Sequence, residues 1–264
     1  MNSRESTGGF APATPRKPAT EQFAPVAADY ACFSYHAAGP DLAPMLAAGE
    51  MTGRERVLDI GSGPGHTALL FAPAAQEVVA TDPTEAMLDQ GRRLARERGL
   101  DNVRFECTGA ESLPFPDDSF DRVTSRQSAH HYEDITAAMR EVARVLRPGG
   151  RFVLIDSVSP EDDAFDGFLN DIELLRDASH VRDYRVSEWA QMFAERGLDL
   201  DHLADWDIPL DFDDWVARSR TPKAEVEALR RCIAEASPSV RERFAIDDDC
   251  GWSVPVALVV GTWA

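Results

Sequence analysis

Short continuous apolar runs alternate along the chain with longer stretches in which apolar residues recur every three or four positions. The runs at 57–60, 77–82, 103–108, 119–125 and 151–156 are bounded by turn residues and predict buried strands. Between them, the stretch after Pro83 through Arg98 and the stretch 135–146 predict helices. In the second, Ile135, Met139, Val142 and Leu146 share one face, and Arg147-Pro-Gly-Gly150 stops it. Beyond the fifth run the pattern predicts a helical insertion over 161–176 and a helix over 187–196, capped by Ser187 with Glu188 and stopped at Gly197. A strand at 198–210, two amphipathic helices within 212–236 and a last strand at 252–263 complete the reading. Ahead of the first strand, 23–30 and 36–42 predict two short helices divided by a turn, and 1–21, rich in Pro, Ala, Ser, Thr and Gly, predicts a mobile tail.

The first strand runs into Asp59-Ile-Gly-Ser-Gly-Pro-Gly65, and an apolar helical segment follows at 67–71. A turn at the carboxyl end of a parallel strand needs positive φ and lets backbone touch a ligand; Gly61, Gly63 and Gly65, with Ser62 among them, suit both demands. Their spacing differs from the Gly-x-Gly-x-x-Gly that binds a pyrophosphate, and Asp59 would repel a pyrophosphate while attracting an ammonium group. The second strand ends in Asp82, roughly twenty residues past the glycines, a place from which a carboxylate accepts both hydroxyls of a ribose. The fourth strand ends in Arg126-Gln-Ser-Ala-His-His-Tyr132, where open α/β sheets place their chemistry.

Asp-x-Gly-x-Gly-x-Gly at 59–65 resembles motif I of the class I S-adenosylmethionine-dependent methyltransferases. Arg144-Val-Leu-Arg-Pro-Gly-Gly-Arg-Phe152 is similar to their helix-to-strand junction. Tyr30-x5-His36-Ala-x-Gly-x-Asp-Leu42 and Arg176-Asp-x-Ser-His-x-Arg182 are similar to segments of the ubiquinone-biosynthesis-like branch. The resemblance covers 23–263 and implies a doubly wound, Rossmann-like α/β fold with a seven-stranded, mostly parallel sheet whose last strand is antiparallel. It places a methyltransferase domain at 22–264, with lid helices at 22–50 and a substrate roof at 161–186.

The activity it implies is methyl transfer from S-adenosylmethionine to an oxygen or carbon of a small organic acceptor, with S-adenosylhomocysteine as product. The cofactor set is Asp59, Gly61, Ser62, Gly63, Gly65, Asp82, Pro83, Met87, Ala110, Glu111 and Arg126, and Tyr30, His36, His180 and Arg182 are the expected acceptor contacts. In one place the chain departs from the family. Where the family has Gly-Asp-Ala-Glu, this chain has Thr108-Gly109-Ala110-Glu111, so the Asp that takes the adenine amino group is missing. In plant-type O-methyltransferases a His followed by an acidic and an aromatic residue removes the acceptor proton. Ala129-His-His-Tyr132 is similar, with His130 in the base position and His131 where the acid stands; an imidazole there would set an acid limb near pH 6.5.

Composition narrows the partners. With 27 Lys and Arg against 46 Asp and Glu in 264 residues, the net charge of -19 argues against nucleic acid and anionic membranes and for a small-molecule acceptor, and it leaves a homodimer open. Four scattered cysteines without a Cys-x-x-Cys pair fit a reducing, cytoplasmic setting, and neither a membrane span nor a signal-peptide core is evident. No metal is expected: the six histidines include no helical His-x-x-x-His, adjacent His130 and His131 should point apart, and Asp247-Asp-Asp249 reads as a solvated turn. Three alternatives share parts of this pattern: a nicotinamide oxidoreductase, a non-methylating member of the fold such as a cyclase, and a binding protein without chemistry.

Overall fold

The computed structural model describes residues 15–32 and 34–263, so most of the expected tail, 1–14, lies outside the described residues. Helices α1 (Ala19–Phe23), α2 (Ala27–Cys32), α3 (Ser34–Ala38) and α4 (Leu42–Ala48) precede the sheet. The expected helix over 36–42 is cut at Gly39-Pro40, because a residue before proline is pushed out of the helical region. Then come β1 (Arg56–Ile60), α5 (His66–Phe71), β2 (Glu77–Asp82), α6 (Glu85–Glu97), β3 (Val103–Cys107), β4 (Phe120–Arg126), α7 (Ile135–Val145) and β5 (Leu146–Ser159). The second half adds α8 (Asp163–Arg176), β6 (Tyr184–Arg185), α9 (Val186–Ala194), β7 (Leu198–Leu210), α10 (Phe212–Arg218), α11 (Lys223–Ala234), α12 (Pro238–Arg243) and β8 (Trp252–Trp263).

The strands lie in the order β3-β2-β1-β4-β5-β8-β7, with the two-residue β6 beside the end of β5. Pairs from β3 through β5 are parallel, and β8 runs antiparallel to both of its neighbours. The apolar runs are continuous because the central strands are buried on both faces. On one face Val57, Val78, Val153 and Val256 pack against Phe71 of α5, Leu169 and Ile172 of α8, and Trp215 of α10. On the other, Leu58, Val79, Leu154 and Val259 meet Met139 and Val142 of α7 and Trp189 and Phe193 of α9. Strand order steps outward in one direction from β1 through β3 and in the other from β4 onward, and this switch between the parallel neighbours β1 and β4 opens a crevice beyond the strands' carboxyl ends.

Three expectations about local structure are corrected. The proline and two glycines at 148–150 end α7 but lie in the first part of β5, with Gly149 at φ 74° and a pairing shift opposite Phe120/Arg122. Helix α9 starts one position earlier than expected: Glu188 accepts from the backbone N–H of Arg185 at 2.9 Å, while Ser187 donates to Glu161 at 2.6 Å instead of capping. After α10 and α11 a third helix, α12, is capped by the Ser237 hydroxyl, which accepts from the Val240 N–H at 3.3 Å.

Candidate active site

A cavity of about 500 Å³ fills the crevice and is lined by the loops after β1, β2, β3 and β4, by Ser157 near the end of β5, by α1 to α3, by the end of α8 with the turn after it, by the end of β7 and by α10. At one end lies the glycine turn. Gly61, Gly63 and Gly65 all have positive φ, and a Cβ at Gly63 would meet nothing within 4 Å, so bare backbone faces the cavity there. Gly61 is required by packing instead, since a Cβ would come within 2.6 Å of Ser128 Oγ. Asp82 holds the turn: Oδ2 accepts from the Gly63 N–H at 2.9 Å and Oδ1 from the Thr84 N–H at 2.8 Å, leaving lone pairs toward the cavity. Burial raises its pKa, and those two amides oppose the rise.

Two of the expected cofactor contacts serve the scaffold. Asp59 is 1 % exposed and lies below the turn, accepting from Thr124 Oγ1 at 2.7 Å and from the Ala68 N–H at 3.1 Å. Burial pushes its carboxyl up to about 7, against those donors. It ties β1 to β4 and α5 and is not among the residues that line the cavity. Arg126 lines the cavity, but its guanidinium donates to the Asp41 carboxylate at 2.6 and 2.8 Å and to the Tyr35 and His36 carbonyls, both at 3.0 Å. It pins the lid helices over the sheet. Pro83, Met87, Ala110 and Glu111 line the cavity, with Glu111 accepting from the Glu133 N–H at 2.9 Å; Gly65 instead supports α5 against Phe105.

At the other end three imidazoles converge. The His130 and His131 rings, expected to point apart, have centroids 4.2 Å apart because Ala129–His131 forms a 3-10 turn, and His180 lies 5.6 Å from His130 and 6.3 Å from His131. His130 Nδ1 is 2.6 Å from Asp156 Oδ1, while Asp156 Oδ2 accepts from the Ala129 and His130 N–H groups at 2.7 and 3.2 Å. Burial would lower the pKa of His130, but the charge and hydrogen bond of Asp156 outweigh it and lift it to about 9. His131 goes the other way: burial, then the neighbouring His130 charge, lower it, and its Nδ1 lies 3.2 Å from Ser179 Oγ.

The carboxylate that partners His130 therefore comes from β5 and not from the next position in the chain. Asp156 was missed, although its place at the end of an apolar run parallels that of Asp82. Tyr30 and His36 line the cavity as a stacked pair, centroids 5.4 Å apart. Arg182 turns away from it, to Asp166 and Glu188 at 3.0 Å each, and clamps α8 to α9. Tyr132 was also missed: its hydroxyl meets those of Ser125 and Ser128 at 3.0 and 3.2 Å and joins the His130 loop to the glycine turn.

A family model for the methyltransferase domain matches residues 58–154. The chain is 45% identical over 210 residues to YcgJ of Bacillus subtilis (strain 168), an uncharacterized methyltransferase, covering 80% of this chain and 83% of the relative. The chain belongs to the class I S-adenosylmethionine-dependent methyltransferases. The crystal structure of YcgJ superposes with a TM-score of 0.81 at 41% identity, covering 84% of this chain and 97% of that one. A putative methyltransferase from Bacillus halodurans C-125 superposes at 0.82 with 33% identity, covering 85% and 99%. The ubiquinone/menaquinone biosynthesis C-methyltransferase UbiE of Serratia proteamaculans (strain 568) is 38% identical over 110 residues, 40% of this chain and 44% of the relative. The oxidoreductase alternative is thereby set aside.

The residues present fit S-adenosylmethionine as methyl donor. The bare backbone at Gly63, the open lone pairs of Asp82 and the buried Ser62 Oγ, which has no hydrogen-bond partner among the described residues, all face one end of the methyltransferase cavity. Gly109 lines that end too and leaves the adenine edge without the family's carboxylate.

Proposed function

We propose that this methyltransferase methylates an oxygen or carbon of a small organic acceptor, and that His130 removes the acceptor's proton. The observation that carries the reading is the His130–Asp156 contact of 2.6 Å at the end of the cavity away from Asp82. Apolar and aromatic side chains, among them Phe23, Trp215, Ile208 and Leu210, wall that end and suit an uncharged organic acceptor.

S-adenosylmethionine, when bound, supplies a methyl on a sulfonium and leaves as S-adenosylhomocysteine. The chain's own part is alignment and proton handling. Asp82 and the glycine turn hold the ribose end. Asp156 fixes the His130 ring so that Nδ1 keeps its proton and Nε2 is the edge offered to the acceptor. A proton leaving the acceptor passes to Nε2 as the new bond to methyl carbon forms, and the resulting imidazolium is stabilised by Asp156. Since His130 titrates near 9, the neutral base is a minority species at pH 7, and activity should climb with pH to about 9 and not level off near 6.5 as the sequence suggested.

A mass-spectrometric screen of phenolic, enolic and hydroxylated acceptors for the gain of one methyl, with S-adenosylhomocysteine release followed in parallel, tests the reading. An acceptor should be found whose methylation falls about a hundredfold or more in His130→Ala while cofactor affinity is kept. Undiminished turnover in that variant would remove the base, and no release with any acceptor would leave a non-methylating member of the fold.

A further inference from the structure

Two buried polar atoms at the acceptor end lack partners. His180 is 2 % exposed and Asp183 is fully buried; both line the cavity, and neither His180 Nε2 nor Asp183 Oδ2 has a hydrogen-bond partner among the described residues. The two atoms stand 3.8 Å apart, too far to bond each other. One oxygen can nevertheless sit about 2.8 Å from both, because two sides of that length span the gap. Buried polar groups are almost always paired, so the gap is a place for a ligand atom.

The pair is held in advance. The Asp183 N–H donates to Asn170 Oδ1 at 2.8 Å, its carbonyl accepts from Asn170 Nδ2 at 3.3 Å, and its Oδ1 accepts from the Ser157 hydroxyl. The His180 N–H donates to the Asp177 carbonyl at 3.0 Å. The charges nearby select a neutral group. Burial, then His130 and His131, lower the His180 pKa far enough to keep it uncharged, and burial raises that of Asp183. An anionic substituent would face Asp183, Asp156 and Glu173, and a cationic one would face the His130 imidazolium and Arg176. A hydroxyl can accept from Nε2 and donate to Oδ2 at once.

We propose that the acceptor carries a second, uncharged hydroxyl one or two carbons from the methylated atom, held between His180 Nε2 and Asp183 Oδ2. The spacing comes from the 5.6 Å between the His130 and His180 rings, which sets the two oxygens a few ångströms apart. The inference rests on the acceptor reading of the cavity and adds a specificity element to it.

Calorimetry on the protein saturated with S-adenosylhomocysteine tests the subsite without requiring turnover. The probes are phenol, 1,2-dihydroxybenzene and 1,3-dihydroxybenzene, with 2-naphthol and 2,3-dihydroxynaphthalene as a larger pair. One diol should bind at least about tenfold tighter than its mono-hydroxy partner. In His180→Phe, which keeps a ring of similar shape, the difference should shrink below about threefold; Asp183→Asn is the second variant, and S-adenosylhomocysteine binding on the same samples reports that each is folded. Equal binding of every mono- and dihydroxy pair, or no binding of any probe, overturns the proposal, as does a preference that survives in a folded variant. A gap filled by structural water would give the first of these results. Methyl gain is scored separately: diol preference without methylation supports the subsite and refutes the transferase reading, whereas methylation without preference does the reverse.

Discussion

Replacing Asp156 by asparagine tests how the protein sets the charge of His130. In the native chain His130 has a pKa of about 9 against about 6.5 for a free imidazole, a difference of about 2.5 units. At about 1.36 kcal/mol per unit this is roughly 3 kcal/mol of folding free energy, and with a side-chain exposure of only 15 % little of it is lost to solvent screening. Because the folded value is raised, the stabilisation is fully present below about pH 6.5 and is lost as pH rises through about 9. The Asp156→Asn side chain would keep an acceptor for the Ala129 N–H but would offer an amide to Nδ1, so His130 would lose its two strongest raising influences, with only the charges of Asp183 and Glu173 left against burial, and its titration should fall well below the native value. The assay is urea unfolding of both proteins at pH 6, 7, 8 and 9, with the His130 ring followed by NMR. The stability difference should be largest at pH 6, about 3 kcal/mol, and shrink toward zero at pH 9. A difference that does not change with pH, or a His130 that titrates near 6.5 in the native protein, would refute the reasoning.

Three further perturbations have defined outcomes. Asp82→Ala should weaken S-adenosylhomocysteine binding by about 2 to 4 kcal/mol through loss of two charge-assisted hydrogen bonds to the ribose, and calorimetry that finds affinity unchanged would take Asp82 out of the site. Gly109→Asp should tighten binding by about 1 kcal/mol, since Gly109 does not have a left-handed φ and its Cβ would meet only the flexible end of Glu111 at 3.0 Å; flat affinity in a folded variant would show the alignment of that segment to be wrong. Arg126→Met should lower stability by about 3 to 5 kcal/mol because it strands the fully buried Asp41 carboxylate, and adding Asp41→Leu should recover part of it; thermal melts showing the double variant no better than the single would contradict the account.

The strands and the glycine turn were readable because burial on both faces leaves continuous apolar runs, and because only glycine suits the positive φ at 61, 63 and 65. The placement of Asp82 and His130 on the cavity was readable from their positions after strand ends. What the pattern left out was side-chain direction. Asp59 follows the same strand-end logic as Asp82, yet the pleat aims it inward at Thr124 and Ala68. Arg126 and Arg182 looked available for ligands until carboxylates from other elements took them: Asp41, far back in the chain, for Arg126, and Asp166 and Glu188 on the helices to either side for Arg182. The meeting of His130 and His131 with His180 and Asp156 joins segments up to 50 residues apart, and no local spacing encodes it.

The central claim is that a base of raised pKa, made by His130 and Asp156, activates the acceptor. Its most direct test is kcat/KM for an acceptor found in the methyl-gain screen, measured from pH 6 to 10 in the native enzyme and in His130→Ala. The account predicts a native profile that rises tenfold per pH unit and levels at about 9, and a variant profile that is flat and at least about a hundredfold lower on the plateau. A native profile already level by pH 7, or one that His130→Ala leaves unchanged in shape, would contradict it.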